Sequence, residues 1–460
     1  MYKCQNIFNY HFYFLAEIDK CILSRFVPIL LKYEMLTMNV RVLMFGWEFP
    51  PFTSGGLGTA CYGLTKGLAR NNAEVIFVLP VMPGSIENEH VKILTPENYG
   101  LDRRRVKFRA IPSNIKPYIT SISLRNVEEK FGLGAINPEE FAIYSGNLAE
   151  EVRKYARYAE IIAKEEEFDI IHCHDWMTYP AGIVAKNIAR RLGKDAPLIV
   201  HVHATEIDRT AGNPNPFVYG IEKKGMKEAD LIITVSNYTK DIVIRNYGID
   251  PEKIHVVHNS IDYFEFESEK LIEDYPIKKY RKIVLFLGRM TIQKGPDHFL
   301  RVAKMVSEIE PDAIFVMGGS GDMFPYIVEE ATRLGIGDRV LFTDFLSGDD
   351  LKRIYRIADV YVMTSVSEPF GITALEAIAN GTPIIITKQS GVSEVIRNCL
   401  IADFWDIEMI ANYIVAVLRY KELRNCLRNG ALEEIRNFSW DIPARKCLSI
   451  YNDALSIYGK

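Results

Sequence analysis

Two blocks of alternating short apolar runs and amphipathic stretches, parted by one acidic segment, constrain this chain more than anything else in it. In the first block the runs lie at 40–45, 74–79, 168–173, 197–202, 229–235 and 253–258. In the second they lie at 282–287, 313–317, 340–343, 360–363 and 382–387. Most are nearly unbroken in hydrophobicity, as strands buried on both faces of a parallel sheet must be. Helical spacing fills the intervals at 59–71, 147–164, 181–192 and from Ser236 to 247, then at 298–308, 324–334 and 348–358. Strand and helix taken in turn build parallel βαβ units. The stretch from Tyr263 to Tyr280, with Phe264, Glu265, Phe266, Glu267, Glu269 and Asp274, breaks the rhythm and marks a linker. The expected fold is therefore α/β, with two Rossmann-like parallel-sheet domains at 38–264 and 265–460 facing across a cleft. Residues 84–145 read as irregular, and 407–460 as helical with one break near 437–440.

Composition narrows the function classes. A chain of 460 residues with net charge -4 has no general attraction for nucleic acid or anionic lipid. Its seven cysteines (4, 21, 61, 173, 399, 426 and 447) are odd in number and never spaced C-x-x-C, which argues against a disulfide framework or a zinc knuckle and for a reducing, cytoplasmic setting. No apolar run reaches the roughly 18 residues a spanning helix needs. Residues 1–37 lack the features of a secretory signal and read as an N-terminal extension, with Met35 or Met38 as the favoured true start. Within them, 22–33 could lie as an amphipathic helix on a membrane surface, so peripheral membrane contact stays open.

The loops that close the runs carry the chemistry. After the first run come Gly55-Gly56-Leu57-Gly58 and a helix, an arrangement that lets backbone N–H groups approach an anion; a tight turn without a ligand fits equally well. Two later runs end in His-x-His, His172/His174 and His201/His203. Zinc is the poorer reading; the better one is that these strand ends line a cleft, with Asp175, His203, Glu206 and Arg209 as candidates. In the second block, Arg289 and Lys294 lie between Gly288 and Gly295 at a strand end, which suits a diphosphate: Arg for bidentate contact, Lys as a point charge. A merely solvated basic loop is the alternative. Glu368 and Glu376 lie eight residues apart on 365–376, where Pro369 keeps Glu368 out of the α conformation and Gly371 turns the chain into a helix. Cations for a diphosphate and carboxylates for sugar hydroxyls form a set matched to a sugar nucleotide.

G-R-x-x-x-x-K-G at Gly288-Arg289 and Lys294-Gly295, E-x7-E at Glu368 and Glu376, the early Gly55-Gly56-Leu57 and the strand-ending His203 together resemble the GT-B glycosyltransferases. The likeness is to the retaining branch that holds glycogen synthases and sucrose synthases, and it covers nearly everything from Met38 onward. It implies that Arg289 and Lys294 hold the donor diphosphate and stabilise it as leaving group, with no metal or other cofactor. It implies that Glu368 binds donor-sugar hydroxyls near the reacting carbon, without support for a covalent nucleophile. Gly55, Gly56, Gly371, Ile372 and Thr373 would add donor contacts, Glu376 would take the ribose, and His203 would meet the sugar from the opposing domain. The last helices would cross back onto the first domain. The opening residues look most like glycogen synthases, but Thr53 stands where those enzymes carry Lys, and Ala204 where they often carry Asn. The expected activity is transfer of a hexosyl, foremost glucosyl, group from a UDP-, ADP- or GDP-sugar to a glycan or other hydroxyl acceptor. A transferase of cell-surface glycans or glycolipids, a sugar-nucleotide epimerase and a silent sugar-nucleotide binder are the rivals.

Overall fold

The apolar runs become two parallel sheets, each with its own hydrophobic core. The computed structural model describes residues 39–50, 55–81, 104–112, 148–267, 276–343 and 345–459. The chain divides into Met1–Val40 and Arg41–Lys460, and both sheets belong to the second unit. The N-terminal extension, its amphipathic stretch 22–33, Thr53 and most of 84–145 lie outside the described residues.

The first sheet contains β1 (Arg41–Phe45), β2 (Glu74–Val81), β3 (Val106–Pro112), β4 (Ile170–His174), β5 (Leu198–Val202), β6 (Leu231–Thr234) and β7 (Ile254–Val256). Its helices are α1 (Gly56–Arg70), α2 (Leu148–Glu165), α3 (Tyr179–Arg191), the single turn α4 (Glu206–Arg209), α5 (Pro216–Glu228) and α6 (Asn237–Ile242). The strand order is β3-β2-β1-β4-β5-β6-β7, all parallel. The chain thus leaves β1 in one direction and returns to its other side at β4, which makes β1/β4 the switch point where open α/β sheets form their crevice.

The second sheet repeats the plan with β8 (Lys282–Leu287), β9 (Ala313–Gly318), β10 (Val340–Thr343), β11 (Val360–Val362), β12 (Ile384–Thr387) and β13 (Leu400–Ala402). Its helices are α7 (Pro296–Ile309), α8 (Phe324–Arg333), α9 (Gly348–Ile357), α10 (Ile372–Ala379), α11 (Ile407–Arg419), α12 (Lys421–Ile435) and α13 (Asp441–Tyr458). The order β10-β9-β8-β11-β12-β13 sets the switch point at β8/β11, where Val284 pairs with Val360 and Leu285 with Tyr361.

Several elements differ from the sequence reading, three of them longer than a single turn or part of a sheet. Val106–Pro112, in the stretch read as irregular, is an edge strand: Lys107 and Arg109 both reach Glu166, so the run alternates instead of being uniformly apolar. Pro216–Glu228 is a helix begun by the Asn215 cap, though its mixed polar sequence carries Gly220 and Gly225 and hides the period. Leu400–Ala402 is too short to stand out as a strand.

The final helix α13 packs on α1 of the first sheet. Contact is close because α1 has no side chain at Gly63, where a Cβ would overlap the Trp440 ring. Arg70 at the end of α1 then bridges Asp262 (2.9 Å) and Asp441 (2.8 Å), tying the linker entry and the last helix to one guanidinium.

Candidate active site

Both cationic and carboxylate loops leave the second sheet at its switch point, the first after β8 and the second after β11. They are bonded to each other along their length. The Val366 N–H donates to the Gln293 carbonyl (2.9 Å) and the Thr364 hydroxyl to the Gly295 carbonyl (2.8 Å). Gly295 has φ +61, and a Cβ there would overlap the Thr364 carbonyl oxygen, so only glycine permits this approach. Lys294 Nζ consequently stands 2.6 Å from Glu368 Oε2, which also accepts from the Ser365 hydroxyl at 3.1 Å. The Glu368 backbone is pinned as well, donating to Gln389 (2.8 Å) and accepting from Gly391 (3.0 Å). Glu368 is 6% exposed, a carboxylate held on both sides yet beside a cation.

Gly371 caps α10 with φ +104, and Ile372 and Thr373 are its first residues. The Thr373 hydroxyl is bonded to Tyr361 (2.9 Å). Glu376, one turn on, accepts from Tyr355 at 3.1 Å; burial raises its carboxyl above the usual range, and the tyrosine only partly offsets this.

In the first sheet, Asp175 follows β4 with the left-handed φ of +59, and its Oδ1 accepts the backbone N–H groups of His203 (2.7 Å) and Ala204 (3.3 Å). Arg209 grips Asp175 Oδ2 and Glu222 Oε1, each at 3.0 Å. Of the four cleft candidates, then, Arg209 and Asp175 are engaged in holding the loop that carries His203. Glu206 is fully buried, and its N–H donates to Glu222 (2.9 Å). Thr205 and Asp208 close the turn between them as a capping box.

The four histidines do converge. His172 Nε2 lies 3.2 Å from His201 Nδ1, His174 Nδ1 lies 2.8 Å from His203 Nε2, and His172 Nδ1 meets the Tyr451 hydroxyl of α13 at 2.6 Å. The rings stack at 4.5 Å (His172 and His174) and 4.1 Å (His201 and His203). His172, His174 and His201 bring one ring nitrogen each within 4.8 Å of one another, a metal-ligand grouping, but the bonds of His172 to Tyr451 and His201 already occupy both its nitrogens. Burial lowers the basicity of all four.

Glu48 is the site residue that sequence reasoning missed. It follows β1 on the Pro-rich loop, is 9% exposed, and accepts from the Gly58 N–H at 3.1 Å. A Cβ on Gly55 would lie 2.7 Å from its Oε2, so Gly55 makes room for this carboxylate, whereas Gly56 is exposed, with nothing among the described residues within 4 Å of a Cβ position. Burial pushes Glu48 up to about 7, with Arg289 from the second sheet pulling it back. An acid at the end of a buried strand, inside a rigid loop and just before glycines, was the available signal.

The two sheets meet around these loops. Asp208 accepts from the Ser367 hydroxyl, next in sequence to Glu368, and Tyr238 bonds the same hydroxyl at 3.0 Å. The Ser236 hydroxyl donates to the Pro369 carbonyl at 2.6 Å. Glu394 accepts the backbone N–H groups of Asn237 (2.9 Å) and Tyr238 (2.8 Å) and faces His258 at 2.7 Å. These bonds outweigh its burial and hold its carboxyl at about 2. The turn α4 packs directly on 292–294, which ends in Lys294. A cation against a buried carboxylate, beside a glycine-capped helix N-terminus and where loops of two sheets meet, has the chemistry to bind a phosphorylated, hydroxyl-bearing ligand.

Comparison with known proteins agrees with this chemistry. Residues 54–263 match the family described as Glycosyltransferase Family 4, and 267–434 match Glycosyl transferases group 1. An uncharacterized glycosyltransferase of Methanocaldococcus jannaschii is 30% identical over 436 residues, 92% of this chain and 100% of that protein. The D-inositol 3-phosphate glycosyltransferase of Salinispora tropica is 29% identical over 379 residues, 76% of each chain. Among solved structures, sucrose-phosphate synthase of Thermosynechococcus elongatus superposes with a TM-score of 0.67 at 19% identity, covering 91% of this chain and 99% of that one. Anabaena HepE in complex with UDP and glucose gives 0.64 at 17%, covering 90% and 100%. Among the described residues no helix is long and apolar enough to cross a membrane.

Proposed function

The chain belongs to the group 1, family 4 glycosyltransferases, retaining enzymes of GT-B fold that use nucleoside diphosphate sugars, and on that premise we propose that it transfers a hexosyl group, glucose foremost, to a hydroxyl acceptor. The observation that carries this reading is the 2.6 Å contact of Lys294 with Glu368 at the β8/β11 switch point. A diphosphate seated on Arg289 and Lys294 brings the attached sugar to Glu368. Glu376, within α10, takes the ribose, and the backbone N–H groups of Gly371, Ile372 and Thr373 lie at the helix N-terminus, where negative charge is favoured. His203 meets the sugar from the other sheet, and Gly55 and Gly56 close that wall.

Breaking the bond from sugar to diphosphate leaves negative charge on the phosphate and positive charge on the sugar. Fixed cations stabilise the first; Glu368 steadies the second without attacking it. Closure of the two sheets over the donor excludes the water that would hydrolyse it.

For the acceptor, two readings have support. The opening residues favour a glucan, as in glycogen synthases. Thr53 and Ala204 depart from that pattern, and one relative is named for D-inositol 3-phosphate, which favours a small phosphorylated polyol. HepE, solved with UDP and glucose, makes UDP-glucose the first donor to try. Labelled UDP-, ADP- and GDP-sugars are to be incubated with glycogen, with inositol 3-phosphate, and with neither. Acceptor-dependent nucleotide release from one donor is expected. Interconversion of the donor without acceptor would instead reveal an epimerase.

A further inference from the structure

The hydrogen bond between His174 Nδ1 and His203 Nε2, 2.8 Å long, leaves open which ring donates, and the surroundings decide it. Burial keeps both imidazoles neutral, His174 down to about 3, so each ring holds one N–H and one lone pair. Among the described residues, His174 Nε2 is buried and has no hydrogen-bond partner. Were His203 the donor, His174 would have to carry its proton on that unpartnered Nε2, and an orphaned buried N–H is the rarer and costlier defect. With His174 donating from Nδ1, only a lone pair is left bare. His203 then receives at Nε2 and must keep its own proton on Nδ1. His174 cannot easily turn to do otherwise, because its ring lies stacked between His172 and Phe77. The His203 backbone is equally fixed by Asp175.

We infer that His174 is a positioning residue for sugar transfer: its Nδ1–H sets the ring plane and tautomer of His203, so that His203 offers Nδ1–H as a hydrogen-bond donor to the oxygens of the bound sugar. The functional half rests on the placement of His203 against the donor sugar; the proton positions do not.

Long-range proton–nitrogen correlation spectra of the full-length, histidine-labelled protein without ligand read the tautomers directly, with His203→Asn and His174→Asn assigning the two signals. The expected result is Nδ1–H on both. A proton on Nε2 of His203 would overturn the inference, and this measurement on the unmutated protein needs no variant to fold. In kinetics, His174→Leu is expected to lower kcat/KM about three- to tenfold, as for one lost hydrogen bond. His174→Asn keeps an N–H near the Nδ1 position and is expected to recover most of it. Inhibition by the free nucleoside diphosphate, which lacks the sugar, is expected to be unchanged in both. Equal loss in both variants, or loss of nucleotide affinity, would reduce His174 to packing. Full turnover by His203→Ala would remove His203 from the sugar and the functional half with it, while the tautomers stand.

Discussion

Lys294 and Glu368 form a close ion pair at the proposed donor site, and each is expected to be needed for a different end of the donor. Replacing Lys294 by alanine removes a charge placed for the leaving group, a loss of about a hundred- to a thousandfold in kcat. Glu368→Ala is expected to be comparably severe while melting stays near that of the unmutated protein; a variant of either kind keeping most of its turnover would displace the donor from this loop. Glu48 offers a pH test. Its carboxyl, raised to about 7 by burial, is mostly neutral below that pH and ionised above it. Ionisation puts a negative charge beside Gly55 and Arg289, so donor KM is expected to climb as pH rises through about 7. Glu48→Gln is expected to flatten the rise; an unchanged alkaline limb would contradict it. The charged motif residues were legible in the sequence because their spacing is local. Asp208 and Tyr238 were not, because their significance lies in what the second sheet brings against them, and Glu48 was marked only by its place between a buried strand and the glycines that begin α1.

At the scale of elements, the loop after β11 is gripped from the first sheet by Asp208, Tyr238 and Ser236. Ser367→Ala removes a hydroxyl from a buried carboxylate and is expected to weaken the contact by about 1–3 kcal/mol. Kinetically that should appear as reduced kcat, and in small-angle scattering as a larger radius of gyration without donor; unchanged scattering and rate would show the contact to be incidental. The bond of Glu394 to the start of α6 should survive acid. Its folded-state carboxyl is depressed to about 2, so its stabilisation is present above the ordinary carboxylate range and fades only as pH falls toward that value. Docking of α13 depends on empty space at Gly63. Gly63→Leu would drive a side chain into Trp440, at a cost of about 1–3 kcal/mol read as a lowered melting temperature; unaltered melting would mean that the helix docks elsewhere. Long buried strands and their helices were readable from hydrophobic period. The edge strand β3 was not, since one of its faces carries Lys107 and Arg109, and neither was α5, whose start is set by the Asn215 cap and not by an apolar stripe.

Across the whole molecule, loops of the two sheets meet where Asp208 and Tyr238 bond Ser367 and Ser236 bonds Pro369, and on the proposed reading the first sheet adds Glu48 and the His203 loop to a donor site whose cations and carboxylates come from the second. The doubled strand–helix rhythm was enough to anticipate this architecture, because each parallel sheet must be buried and must bind at its carboxyl edge. What it could not specify is the acceptor, which is chosen by packing and not by motif. The central proposal is retaining transfer from a donor held at Arg289, Lys294 and Glu368. The anomeric protons of an α-configured sugar nucleotide, followed by NMR during turnover with acceptor, report on that transfer without intermediary. An α-linked product formed in step with released nucleoside diphosphate is expected; a β-linked product, or nucleotide release with no glycoside formed, would refute it.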